Sequence, residues 1–385
     1  MCGKSVKIRG MKRASNGRRW AWVILGAGAC GLHLALGKDS ALVENVYSRG
    51  VFVGLRWLWD RTVGFSPAPL LYVYLAAIIL WEVLRMMRKS RGHVPKVHVP
   101  GEPGRAHTSA WKKAGRGLLL IASWAGGLVL LFYVLWGFNY NRIGLEKQLR
   151  LEVAPVDLAA IKAEAEGTAR ALAEARASIP GTAKAALADG ALPRGLEAAV
   201  RSSLSKVLGD AGFPVPGRPR IRPLWPGGLL MRLSSSGFYF PYGGEGYIAE
   251  NLTAAEKPFV TAHEMVHAYG ITDEGAANFL GFLACESSAD PAVRYSGLLS
   301  YWEYVFPELV RASGQDAARL AARLPEGVRA DIRAAFENWD RYRGPVRAAA
   351  QAVYEHYLKS QGIAEGAKSY DKFVSLVVAW KRRSR

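Results

Sequence analysis

His263, Glu264 and His267 stand in the order H-E-x-x-H within TAAEKPFVTAHEMVHAYG. Residues four apart share one face of a helix, so the two imidazoles converge on one cation, with zinc favoured by such a donor set. Glu264, beside them, is placed to hold a water on that cation and remove its proton as general base. With seven histidines in 385 residues, chance produces this pattern in on the order of one such chain in a hundred. The competing reading is an ordinary amphipathic helix whose two histidines pack or cap.

A catalytic zinc takes three protein ligands and keeps one open position. The only other histidine after residue 138 is His356, ninety residues on in VYEHYLK, where it reads as exposed helix surface. Asp273 and Glu274 follow the motif directly in GITDEGAANF, and Gly270 lets the chain turn so that a second helix begins near Thr272. H-E-x-x-H-x-x-G-x-x-D fits Asp273 and resembles the metzincin arrangement with aspartate as third ligand. Glu274 lies four residues before Asn278, so both face the same way and Asn278 is placed to orient a ligand histidine. This E-x-x-A-N pattern resembles the second helix of gluzincins. Glu274 is favoured, with Asp273 as the cap of that helix. Tyr295, with Arg294 and Tyr301 in RYSGLLSYW, is a candidate donor to a tetrahedral oxyanion, against packing as the competing role. Cys285 reads as a buried helix residue.

The motif needs a helix, and Thr253 and Glu256 form a capping box for one, with Pro258 able to move its start by a turn. From Thr253 to Trp380 the pattern is helical, with breaks expected near Gly270, Pro291, Pro307, Gly314, Pro325, Pro345 and Gly362. Upstream, VDLAAIKAEAEGTARALAEARASI and residues 195–208 read as amphipathic helices. PRIRPLW, LLMRLS and GFYFPYGGEGYIAEN carry the strand-like character; the last offers an edge for pairing with an extended peptide.

Three apolar stretches read as membrane spans: Trp20 to Gly37, Pro69 to Leu84 and Gly117 to Gly137. The formal charge is +19, and residues 1–116 hold 20 of the 51 Lys and Arg but 5 of the 32 Asp and Glu. Seven basic residues precede the first span, four lie between the first two, and nine fall in the loop at about 85–116. High, low, high places residues 1–19 in the cytoplasm and everything after the third span outside it. His93, His98 and His107 in that basic loop fit no compact metal site; lipid headgroups, not nucleic acid, are the expected partner there. A cleaved first span, with a lipoprotein-like Ala27-Gly28-Ala29-Cys30, is the processing alternative. Three cysteines support no disulfide framework.

WGFNYNR at 136–142, GFYFPYGGEGYIAEN, TAHEMVHAYGITDEGAANFLGFLAC, RYSGLLSYW, VYEHYLKSQG and SYDKFVSLVVAW, in that order, resemble the bacterial membrane family catalogued as domain of unknown function 3810. The resemblance implies a membrane-anchored, zincin-like, gluzincin-type metallopeptidase. Members often carry a second acid two residues beyond the position of Glu274, where this chain has Ala276.

The expected architecture is a mainly α domain with a small β-sheet, an α+β zincin-like fold at 139–385, after a three-helix transmembrane region at 20–138. The expected activity is zinc-dependent hydrolysis of a peptide or protein substrate by a multi-pass protein of the bacterial cytoplasmic membrane, its domain facing the periplasm. His263, His267 and Glu274 bind the metal and Glu264 is the base. A noncatalytic envelope scaffold with a four-ligand structural zinc is the alternative.

Overall fold

The computed structural model describes residues 3–91, 105–181, 184–361 and 372–383. Of the basic loop expected at 85–116, residues 92–104, with His93 and His98, lie outside the described residues. The protein is mainly helical with one small sheet, as the sequence pattern anticipates.

Helix α1 (Gly3–Leu36) leads to a short α2 (Ser40–Leu42), a π-helical stretch over Val43–Val51, and α3 (Phe52–Thr62). Helices α4 (Leu70–Arg91) and α5 (Arg105–Leu135) follow. Within α1, α4 and α5, the segments Asn16–Leu36, Leu70–Arg88 and Ala114–Leu135 are long and apolar enough to cross a membrane. α1 packs along α5, and no side chain fits at their crossing: a Cβ on Gly26 would lie 2.5 Å from Gly126 Cα. Small residues let two spans approach this closely, where dispersion between backbones replaces the hydrophobic effect.

Beyond α5 come α6 (Leu145–Gln148), α7 (Leu158–Ala177), α8 (Leu196–Asp210), β1 (Arg220–Leu224), α9 (Leu229–Arg232), β2 (Gly237–Phe240) and β3 (Glu245–Ala249). Helices α10 (Lys257–Ala268), α11 (Glu274–Glu286), α12 (Pro291–Ala312), α13 (Gly314–Ala322), α14 (Glu326–Asp340), α15 (Pro345–Ser360) and α16 (Lys372–Arg383) complete the chain. The sheet order is β1-β3-β2: β3 runs parallel to β1, pairing Arg220 with Glu245, and antiparallel to β2, pairing Phe240 with Glu245. α11 is apolar and buried nearly all round because α8, α10, α12 and α16 enclose it.

Two expectations need correction. LLMRLS is not a strand: left-handed Gly228 (φ 79°) starts the short α9, and adjacent Leu230 and Met231 both enter the core, which an alternating strand does not allow. Pro307 does not end a helix, because α12 runs through it with Val305 and Leu309 buried on either side; core packing outweighs the lost backbone hydrogen bond. α10 begins at Lys257, a turn after Thr253, the shift anticipated from Pro258, and Glu256 reaches back to accept from the Thr253 amide at 2.8 Å.

The segment between the first two spans, which carries no strong sequence signal, is folded onto the domain. Glu44 meets Arg142 at 2.8 Å, Arg56 donates to the Gly244 carbonyl, and Trp59 Nε1 donates to the Gly243 carbonyl. In return, Glu245 and Tyr247 of β3 accept from the Leu70 and Leu71 amides at 2.9 and 3.0 Å, satisfying donors that open the second span.

Candidate metal centre

α10 packs against β2, β3, α8 and α11, which bury Glu264 and His267 and half-bury His263. His263 and His267 face α11, and their rings lie 4.7 Å apart between centroids. His263 Nδ1 is 2.8 Å from Asn278 Oδ1, and His267 Nδ1 is 2.7 Å from the Ile271 carbonyl. Both partners are acceptors, so each Nδ1 carries the proton and each Nε2 presents a lone pair. Those two lone pairs point at one another: Nε2 to Nε2 is 3.1 Å, and Glu274 Oε2 lies 3.1 and 3.4 Å from them.

Three acceptors this close repel unless a proton or a cation sits among them. Bonds of 2.0–2.1 Å to a tetrahedral zinc put ligand atoms about 3.3 Å apart, so the donor set fits that ion in both chemistry and spacing. In the metal-free state a proton on His267, drawn there by the Glu274 carboxylate, takes the balancing role. Burial disfavours a charged His267, but Glu274 outweighs this and holds its pKa up at about 9. Burial likewise opposes ionisation of Glu274, and the two histidines reverse it, holding the carboxyl well below its usual range. Among the described residues the cluster holds three donors, not four.

The structure brings Glu274, not Asp273, to the histidines. Asp273 Oδ1 accepts from the Ala276 amide at 2.7 Å and caps α11. Asn278, one turn on, completes its bonding by donating to Tyr304 Oη at 3.2 Å. The other Glu274 oxygen, Oε1, accepts from Tyr354 Oη of α15 at 2.7 Å.

Glu264 points instead toward the sheet, into space that two glycines leave. A Cβ on Gly246 would lie 3.2 Å from Glu264 Cβ, and one on Gly237 would lie 2.6 Å from Oε1. Its Oε2 is buried with no hydrogen-bond partner, an orphan that calls for a water or ion in the finished site. Burial pushes its pKa up to about 7 against the pull of His263 and His267. A carboxyl so poised takes and returns protons near neutrality.

The turn after α10 is held from below. Trp136, the first residue beyond α5, donates from Nε1 to the His267 carbonyl at 2.9 Å, and Arg142 donates to the Gly270 carbonyl at 2.8 Å. Gly270 is left-handed (φ 82°) and faces Phe52 and Asn139, where a side chain would collide. Sequence reasoning missed the roles of Trp136, Arg142, Gly237 and Tyr354. The one available signal was the polar-aromatic WGFNYNR directly after a span.

The remaining candidates lie elsewhere. Tyr295 Oη donates to Asp331 at 2.7 Å, and Asp331 is paired with buried Arg176. Tyr301 Oη meets Glu164, Arg294 bonds the Ser288 and Ala289 carbonyls, and His356 is exposed on α15. Cys285 is buried against Gly297.

A family model described as a protein of unknown function, DUF3810, matches residues 47–378. The chain belongs to this family. The matched unit therefore takes in the docked segment from Tyr47 onward, the second and third candidate spans, and the whole cluster on α10 and α11. No curated protein and no solved structure matches the chain.

Proposed function

We propose that this DUF3810 protein is a membrane-anchored, zinc-dependent metallopeptidase, with the domain after α5 extracytoplasmic and residues 1–19 cytoplasmic. What carries the reading is the convergence of two Nε2 lone pairs and the Glu274 carboxylate beside a buried, unpartnered Glu264 oxygen. His263, His267 and Glu274 would hold the ion. A zinc there supplies Lewis acidity, making a water acidic and a peptide carbonyl electrophilic. Glu264 would take a proton from the attacking water and return it to the leaving amine. Asn278 and the Ile271 carbonyl keep both imidazoles in the metal-binding tautomer, and burial of Glu264 keeps its carboxyl near the pKa this exchange needs. The distribution of basic residues supports the proposed orientation.

The test uses the purified full-length chain in detergent: zinc content by elemental analysis, and hydrolysis of a mixed peptide pool by mass spectrometry. Wild type and Glu264→Gln should each hold about one zinc, and His263→Ala and Glu274→Ala should lose it. Glu264→Gln should lower hydrolysis by about 10²–10⁴-fold. Zinc retained with equal activity in both proteins would remove the catalytic reading and favour a noncatalytic scaffold.

A further inference from the structure

The cluster is built onto the ends of the candidate spans rather than held away from them. Trp136, immediately after α5, bonds the carbonyl of His267 itself. Glu245 and Tyr247, on the strand beside β2, bond the first amides of α4. The turn between β2 and β3 goes further and enters between the two spans. Tyr242 Oη donates to the Leu128 carbonyl of α5, and Tyr74 Oη of α4 donates to the Tyr242 carbonyl, both at 3.1 Å. Leu128 lies seven residues before the end of α5 and Tyr74 four after the start of α4, so this turn sits about 6–10 Å below the span ends at 1.5 Å per helical residue. Tyrosine and tryptophan favour that interfacial depth.

β2 is consequently a short ramp. Its Gly237 end lies against Glu264, and its Phe240 end meets Tyr74 with ring centroids 6.0 Å apart. From Gly237 to Phe240 is about 10 Å of extended chain, and the turn at 241–244 follows. β2 is also the outer strand, with β3 as its one neighbour in the sheet. Among the described residues α1 packs along α5, but α4 has no comparable packing with either. Apolar side chains on both, Leu75 of α4 and Leu128 and Leu131 of α5 among them, are exposed.

Accepting the peptidase reading, we infer that its substrates are polypeptides anchored in the same membrane by a spanning helix, cut in the extended segment just outside the bilayer. The substrate's span lies in the bilayer beside α4 and α5, and its emerging chain pairs along the outer edge of β2 up to Glu264. Ten extended residues reach about 35 Å, more than the ramp requires, so the cut falls within about ten residues of the substrate's span.

The experiment uses the full-length protein in lipid nanodiscs with zinc and two synthetic peptide pools. Each peptide in the first pool has a randomised twenty-residue segment joined to an apolar span of about twenty residues; the second pool has the same segments without the span. Cleavage is mapped by mass spectrometry, with Glu264→Gln as background. We expect the anchored pool to be cut at least tenfold faster, within ten residues of the span. Equal rates on the two pools, or cuts spread along the whole segment, overturn the anchored-substrate inference and leave the peptidase standing. Absence of Glu264-dependent cleavage in both pools overturns the peptidase and this inference with it.

Discussion

Replacing Asn278 with alanine isolates the residue that sets the tautomer of a proposed ligand without touching a ligand. Asn278 is 2% exposed, accepts from His263 Nδ1 at 2.8 Å and donates to Tyr304 at 3.2 Å. With its oxygen gone, the His263 proton is no longer confined to Nδ1, and a ring protonated on Nε2 has no lone pair for the metal. Loss of such a partner weakens metal binding about 10–100-fold, or roughly 1.4–2.7 kcal/mol. The truncation also leaves His263 Nδ1 and a tyrosine hydroxyl short of a partner, costing about 1–3 kcal/mol of metal-free stability. Zinc affinity is read by competition with a chelating indicator on the detergent-purified chain, with circular dichroism as the folding control. Asn278→Asp keeps an acceptor in place and should stay within a few fold of wild type, whereas His263→Ala should lose far more than Asn278→Ala. A folded Asn278→Ala protein binding zinc within twofold of wild type would refute the tautomer argument.

Other substitutions probe the surroundings. Gly237→Ala puts a Cβ 2.6 Å from Glu264 Oε1 and 2.7 Å from the Tyr247 carbonyl; zinc should stay while hydrolysis falls by about 10²-fold, since a 1 Å misplacement costs that much. Unchanged turnover would mean that Glu264 is not held by this contact. Tyr354→Phe removes the donor to Glu274 Oε1 and should weaken zinc binding by about tenfold, measured by the same competition. Arg142→Ala removes one of the two guanidinium partners of buried Glu44, Arg49 keeping the other at 2.9 Å, together with the donor to the Gly270 carbonyl. Losing these charge-assisted bonds should cost about 1.5–3 kcal/mol and lower the unfolding midpoint by about 3–6 °C; a shift under about 2 °C in a thermal scan would make this bracket dispensable.

The residues that could bind a metal were legible because their chemistry is local. H-E-x-x-H and the E-x-x-A-N that follows use the i, i+4 periodicity of a helix, so two short strings place His263 beside His267 and Glu274 beside Asn278. The spans were legible for a similar reason: hydrocarbon requires long unbroken apolar runs. What stayed hidden depends on pairings across the chain. Gly237 is an unremarkable strand glycine until Glu264, 27 residues later, is packed against it, and Tyr354 is one more helical tyrosine until α15 brings it to Glu274, 80 residues away. The docked segment before α4 buries Val43, Tyr47 and Phe52 at helical spacing, but nothing local says what it packs on, since Glu44 and Trp59 are fixed by Arg142 and Gly243 far along the sequence.

The family match, over residues 47–378, extends well beyond the motif. The cluster by itself needs α10 and α11. Holding it at one height over the spans needs more: Trp136 under His267, Arg142 under Gly270, Glu44 under Arg142, and the β2–β3 turn between Tyr74 and Leu128. A zinc site serving only soluble peptides has no use for such a frame, because a soluble chain approaches from any height. A site that must meet a segment emerging from the bilayer does, since each extended residue changes reach by about 3.4 Å and an error of one or two residues presents a different bond. On this argument the frame and the cluster form one functional unit. Loosening the Tyr74–Tyr242 contact by Tyr74→Phe should leave zinc content unchanged and broaden the positions cut in anchored peptides.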